Sequence, residues 1–329
     1  MPPLPHPDER IRPLLVCAPR KSLAKPGGMR QRGPVELADA AAAWRRDGFV
    51  LLPGYLSGPE LAAVQRDLAA VYPSAADYHA APDQGANQAY TGDEFGGIIT
   101  FPFPAVSLCR IVVHDKLVAL AEAIFATKDI RIYASELWAK YTGAASYEQE
   151  HHRDYLNHTP LVPSADWRWR GLEMFIWLSD VPEDHGPTHI VPLPVTDGVP
   201  ALPHGYLRSE RPDFYAHEQS AAGPAGTVVA YSTETFHRGT QITAPCSARY
   251  SAHVSYRHAD NHWTGRHAWG DHSFRPDWNP FVEQATTRQL QLFGFPPPGH
   301  PYWTTDTITQ LLVRYPGLDS SQWRTAARE

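Results

Sequence analysis

Residues 249–257 read Arg-Tyr-Ser-Ala-His-Val-Ser-Tyr-Arg. Successive side chains of a strand point to opposite faces. Tyr250, Ala252, Val254 and Tyr256 therefore share one face, and Arg249, Ser251, His253, Ser255 and Arg257 the other. A strand with one wholly polar face either meets solvent or lines a wet cavity. Working outward, Leu172, Met174, Ile176 and Leu178 alternate with Glu173, Phe175, Trp177 and Ser179; residues 131–141 are extended in character and residues 227–231 are β-rich. Earlier in the chain the period changes. Residues 36–46 are alanine-rich and helical, Phe49-Val-Leu-Leu52 is a short apolar strand, and Ser57-Gly-Pro-Glu60 is a capping box. The box opens a helix with Leu61, Val64, Leu68 and Val71 at helical spacing; Leu117, Leu120, Ala121 and Ile124 mark another. Strands flanked by helices predict a mainly β protein built on an antiparallel double sheet, not alternating βαβ units.

Composition bounds the function. The 329 residues carry 29 basic against 35 acidic side chains, net −6, without the basic excess of a duplex-binding domain. No nucleic-acid partner is expected. Hydrophobic residues at 43% exclude a disordered chain, and 32 prolines predict many short elements. Three cysteines (Cys17, Cys109, Cys246) without C-x-x-C spacing argue against a disulfide scaffold and fit a reducing compartment. The start lacks a signal-peptide core, and the best apolar run, residues 97–113, is interrupted by Pro102, Pro104 and Arg110. A soluble, cytoplasmic protein without membrane attachment is expected. Residues 1–34, with seven Lys/Arg against Asp8 and Glu9, are expected to form a flexible basic arm. Residues 35–329 are expected to form one domain. Its Trp- and Pro-rich C-terminal extension, about residues 259–329, is expected to carry helices over 280–292 and 306–314 and to pack on the sheet core.

Seventeen histidines make pattern the only guide to a site. Two imidazoles and one carboxylate on one side of a metal leave its other positions open, the arrangement of non-haem Fe(II) sites. His-x-Asp at a strand end supplies two such donors. It occurs three times: His6-Pro-Asp8 in the arm, His258-Ala-Asp260 after the last clear strand, and His152-Arg-Asp154 between two strands. Only the third has the right neighbours. His237 follows the strand at 227–231, and Arg249 comes twelve residues later on the polar strand face. A guanidinium fork grips a carboxylate through two charge-assisted hydrogen bonds. It suits the distal carboxylate of a 2-oxoglutarate cosubstrate chelated to the metal.

With these residues the chain resembles the phytanoyl-CoA dioxygenase-like family of Fe(II)/2-oxoglutarate-dependent oxygenases. The resemblance rests on Asp47-Gly-Phe-Val-Leu-Leu-Pro-Gly-Tyr55, His152-Arg-Asp154, Gly186-Pro-Thr-His-Ile-Val-Pro192, and Gly226-Thr-Val-Val-Ala-Tyr231 leading to Phe236-His-Arg-Gly239 and Arg249. It covers about residues 36–258. It implies a double-stranded β-helix (jelly-roll, cupin-like) with flanking helices. It also implies iron held by His152, Asp154 and His237, 2-oxoglutarate salt-bridged to Arg249, and O2 as second cosubstrate. Leu193-Pro-Val-Thr196 replaces the Gly-Ser-His that usually follows Val-Pro in the family. Asp154 stands where halogenating relatives carry a small residue, which favours hydroxylation or a related oxidation of a small to medium organic molecule, in keeping with secondary metabolism.

Other residues carry two readings each. His151 is a rival ligand, but its i+2 neighbour is the cation Arg153. His185 and His189 read as turn or surface residues. Lys140 is either a solvated strand-end residue or a contact for an acidic group of the cosubstrate, and is taken as a candidate cosubstrate contact. Arg153, Tyr155 and Asn157 beside the motif, and His253 on the polar strand, are candidate substrate contacts. Ser232, Thr233 and Glu234 lack the Gly-x-Ser-x-Gly of a nucleophile elbow. The alternatives are a jelly-roll metal-binding or ligand-binding protein without oxygenase activity, and a metal-dependent hydrolase or isomerase, in which Arg249 would have no role. Oligomeric state is not legible.

Overall fold

The computed structural model describes residues 36–161, 163, 164 and 166–326. The arm expected over residues 1–34 lies outside them. Eleven strands are present among the described residues: β1 (Phe49–Leu52), β2 (Ile99–Thr100), β3 (Ile130–Tyr141), β4 (His151–His152), β5 (Leu172–Trp177), β6 (His189–Ile190), β7 (Gly205–Tyr206), β8 (Gln219–Ser220), β9 (Val228–Ser232), β10 (His237–Arg238) and β11 (Ala248–His258). They form a large sheet in the order β1-β9-β5-β11-β3-β2 and a small one in the order β7-β4-β10-β6-β8. Every pairing is antiparallel. The two sheets do not close into one barrel.

The alternation in β5 and β11 sets the layers. Leu172, Met174 and Ile176 join Ala252, Val254 and Tyr256 in the main core, where Ala40, Ala41, Trp44, Leu61 and Leu120 from the flanking helices cover them. Each such aliphatic side chain contributes roughly 1.5–3 kcal/mol on burial. The helices occupy Leu37–Asp47, Gly58–Leu68 and Asp115–Phe125, and the capping box at Ser57 and Glu60 is formed. Gly48, at φ +81°, ends the first helix in the left-handed region and turns the chain into β1. The opposite face of the large sheet looks toward the small one. A second apolar cluster lies there: Phe49, Trp177, Ile190, Val229 and Tyr231.

The C-terminal stretch places Trp278, Phe281, Leu290, Trp303 and Trp323 in the main core. The helix expected over 280–292 is two helices, Trp278–Gln284 and Thr287–Leu292. Thr286 caps the second by accepting a hydrogen bond from Gln289 N, and so breaks the run. The two-residue strands β2, β4, β6, β7, β8 and β10 are too short for alternation to reveal. Of the cysteines, Cys109 is free and buried, whereas Cys246 is disulfide-bonded. No helix among the described residues is long and apolar enough to cross a membrane.

Candidate active site

A cavity of about 980 Å³ lies between the two sheets. The large sheet lines it with the polar or aromatic half of each alternating strand: Glu136, Trp138 and Lys140 from β3, Glu173, Phe175 and Trp177 from β5, Arg249, Ser251 and His253 from β11. The small sheet supplies His152 and His237.

His152 and His237 are direct register partners on β4 and β10, with ring centroids 4.5 Å apart. The Nδ1 of His152 lies 2.9 Å from the Glu150 carbonyl oxygen, and that of His237 lies 3.1 Å from the Thr235 carbonyl oxygen. A carbonyl only accepts, so Nδ1 carries the proton in both rings and leaves the Nε2 lone pair available. Both Nε2 atoms face one carboxylate: His237 at 3.4 Å from Asp154 Oδ2, His152 at 3.9 Å from Oδ1. One ligand atom from each of the three residues lies within 4.8 Å of the others, a spacing that could hold a metal ion. Asp154 is not on the strand. It has helical backbone angles and precedes the short helix Tyr155–His158, so a turn rather than strand periodicity brings it round to the imidazoles.

Burial would raise the Asp154 pKa, but His237, His158, His152 and a hydrogen bond donated by Tyr231 (3.2 Å) outweigh it and hold the carboxyl well below the usual range. Burial pushes His237 down to about 4. Ionised carboxylate and neutral imidazole are the forms that bind a divalent metal.

Arg249 pairs across the ladder with Lys140. Its guanidinium is buried, lies 5.5 Å from the Trp177 ring centroid, and has an Nη1 without a hydrogen-bond partner. Burial lowers its pKa to about 10, so it stays charged at neutral pH. A buried cation with an unused donor is incomplete until an anion meets it. Lys140 is equally buried, against the solvated strand-end reading. Desolvation, then repulsion from Arg249, brings its pKa to about 7. Its ammonium sits 4.6 Å from the Tyr147 ring centroid and 5.2 Å from that of Trp138.

The other expected contacts divide. Asn157 and His253 line the cavity. His253 is also hydrogen-bonded, with Nε2 3.1 Å from Ser251 Oγ, and burial pushes its pKa down to about 3. Arg153 and Tyr155 do not line the cavity. Arg153 donates to the Pro200 carbonyl and lies over the Phe236 ring, because its place between His152 and Asp154 turns it to the opposite side. Tyr155 is buried. His151 points away as well, its Nε2 2.7 Å from Glu218. His189 belongs to β6 rather than a turn, with Nδ1 2.9 Å from the same Glu218. His185 lies in a 3-10 turn, with Nε2 2.9 Å from Ser247 Oγ.

Sequence reasoning missed Tyr231 as the Asp154 partner, Glu218 as the hub behind the triad, and a buried group under the cavity. In that group Tyr133 donates to Glu173, Ser255 Oγ donates to the same carboxylate at 2.5 Å, and His158 Nδ1 lies 3.0 Å from the Tyr133 hydroxyl. The odd-numbered face of β5, which carries Glu173, Phe175 and Trp177, was the available signal.

Two antiparallel sheets around a cavity that holds two imidazoles, a carboxylate and a buried guanidinium define a jelly-roll protein of the cupin type. Within that class, the chain belongs to the phytanoyl-CoA dioxygenase family, whose model matches residues 44–250. Among solved structures it is similar to the epimerase SnoN in complex with Fe3+, alpha ketoglutarate and nogalamycin RO (22% identity, 67% of this chain and 83% of that one, TM-score 0.50). It is also similar to the alpha ketoglutarate dependent carbocyclase SnoK from nogalamycin biosynthesis (21% identity, 68% and 87%, TM-score 0.50). EctD from S. alaskensis with 2-oxoglutarate and 5-hydroxyectoine aligns at 18% identity over 77% of this chain and 83% of that one, with a TM-score of 0.49. At these identities the likeness is one of fold. Comparison with curated proteins finds no match.

Proposed function

We propose that this chain is an Fe(II)/2-oxoglutarate-dependent oxygenase that oxidises a small to medium organic molecule, with hydroxylation as the leading outcome. Family membership supports the class. The observation that carries the reading is the pairing of the His152/Asp154/His237 cluster with a buried Arg249 whose Nη1 has no hydrogen-bond partner, in one cavity. A hydrolase or a passive metal site would leave that guanidinium without a use.

In this reading His152, Asp154 and His237 hold the iron, and Arg249, with Lys140 beside it, takes the distal carboxylate of 2-oxoglutarate. Iron and 2-oxoglutarate, when bound, supply dioxygen activation coupled to decarboxylation to succinate. The chain's own work is positional. The backbone carbonyls of Glu150 and Thr235 fix the two ring orientations, Tyr231 steadies Asp154, and the aromatic walls exclude water. Asn157 and His253 face the space left for substrate.

Adding Fe(II) and 2-oxoglutarate anaerobically to the purified protein should produce a visible metal-to-ligand absorption band. His152→Ala and His237→Ala should abolish it. Arg249→Ala should weaken 2-oxoglutarate binding roughly ten- to hundredfold, as expected for losing charge-assisted hydrogen bonds, and leave Fe(II) affinity nearly unchanged. Absence of the band in the unmodified protein overturns the reading, as does an unchanged 2-oxoglutarate affinity in Arg249→Ala.

A further inference from the structure

The cavity wall carries a continuous row of rings. Phe95, 51% exposed at the mouth, meets Trp138 edge to face at 5.7 Å between centroids. Trp138 stacks on His253 at 4.5 Å and 12°, and Phe175 covers the other side of His253 at 3.9 Å, tilted by 38°. Phe175 meets Tyr231 at 5.1 Å, and Tyr231 meets His237 of the triad at 4.6 Å. All six residues line the cavity.

Four strands place these rings: β3, β11, β5 and β9 contribute Trp138, His253, Phe175 and Tyr231, and register sets them side by side. Both faces of His253 are covered, by Trp138 and by Phe175, so the ring can offer a ligand only its edge. Ring edges are the positive rim of the aromatic quadrupole, and their preferred partner is the negative face of another π-system. A saturated ring of the same outline offers hydrogens there instead. The wall is therefore built for a flat conjugated face more than for a puckered aliphatic one, and the volume accommodates a medium-sized fused-ring molecule.

We propose that the substrate is a flat aromatic or fused-ring compound, laid against the row that runs from Phe95 through Trp138, His253 and Phe175 to Tyr231, which brings its inner end to the His152/Asp154/His237 cluster. The inference rests on the oxygenase reading only for calling this cavity the substrate chamber.

The test uses two probes of one skeleton, 2-naphthol and decahydro-2-naphthol, titrated calorimetrically into the full chain with and without Fe(II) and 2-oxoglutarate under anaerobic conditions. 2-Naphthol should bind about tenfold more tightly, the scale of one or two favourable ring–ring contacts. Phe95→Leu and Trp138→Leu keep apolar bulk and remove a ring. Each should cut the preference to about threefold or less, and Phe95 is exposed enough that its replacement leaves the core intact. Equal binding of the two probes, tighter binding of the saturated one, no binding of either, or a preference untouched by both substitutions overturns the inference. Failure of the oxygenase reading shows separately, as a chain that does not bind 2-oxoglutarate whatever its preference between the probes.

Discussion

Lys140 shows how tertiary structure weighs two readings of one position. At the end of a strand it reads either as a solvated cation or as a cosubstrate contact, and the ladder sets it opposite Arg249 inside the cavity wall. Burial and the neighbouring guanidinium bring its pKa to about 7, from an ordinary 10.5. The unfolded chain then holds a proton that the folded one has lost between those two values, so this group's contribution to stability rises with pH across that window. A dianion bound beside Lys140 favours the charged form and raises the pKa again. Binding of 2-oxoglutarate at pH 8 is therefore expected to take up close to one proton. Calorimetry in buffers of different ionisation enthalpy measures the uptake, and Lys140→Met should reduce it to near zero. Uptake that persists in the Met variant would place the titrating group elsewhere.

Among the elements, the small sheet is the weak point, because strands of two residues have little ladder to hold them. Glu218 does the holding. It accepts from Arg238 Nε at 2.8 Å and Nη2 at 2.9 Å, and it lies 2.7 Å from His151 Nε2 and 2.9 Å from His189 Nδ1, so residues of β4, β6 and β10 meet on one carboxylate. Burial opposes its charge, but these partners hold its pKa well below the usual range. The stabilisation is therefore present above the ordinary carboxylate pKa and is lost as pH falls through the depressed one. Glu218→Gln is expected to cost about 3 kcal/mol in urea unfolding, the scale of breaking a buried ion pair, and to lower Fe(II) affinity because His152 and His237 ride on the same strands. A midpoint unchanged from the parent protein would refute this. The long strands, by contrast, were readable, β5 and β11 from alternation and β3 and β9 from their β-rich composition, each within a residue or two of its predicted limits. Strands of two residues carry no period, so β4 and β10 were visible only as the ligands they bear.

At the scale of the whole molecule, the C-terminal stretch is part of the core and not an appendage. Phe101 is fully buried, and Trp269, Trp278, Phe281 and Phe293 all lie within ring-contact distance of it. A chain ending at residue 258 would expose this cluster, and it is expected to aggregate or to lose its cooperative calorimetric transition; a cooperative melt at the full-length temperature would contradict that. The same stretch returns Arg266 to the cavity, 2.9 Å from Glu136, a contact that no local pattern announces. The amino-acid sequence alone determined which strands are two-faced, where the early helices begin, and which histidines, carboxylate and arginine were worth bringing together, because period and donor chemistry are local properties. Only the tertiary structure decided that Lys140 is buried, that Arg153 and Tyr155 do not line the cavity, and that the rings of four strands align into one row. Those outcomes depend on register and on the packing of one sheet over another, which no stretch of chain encodes by itself.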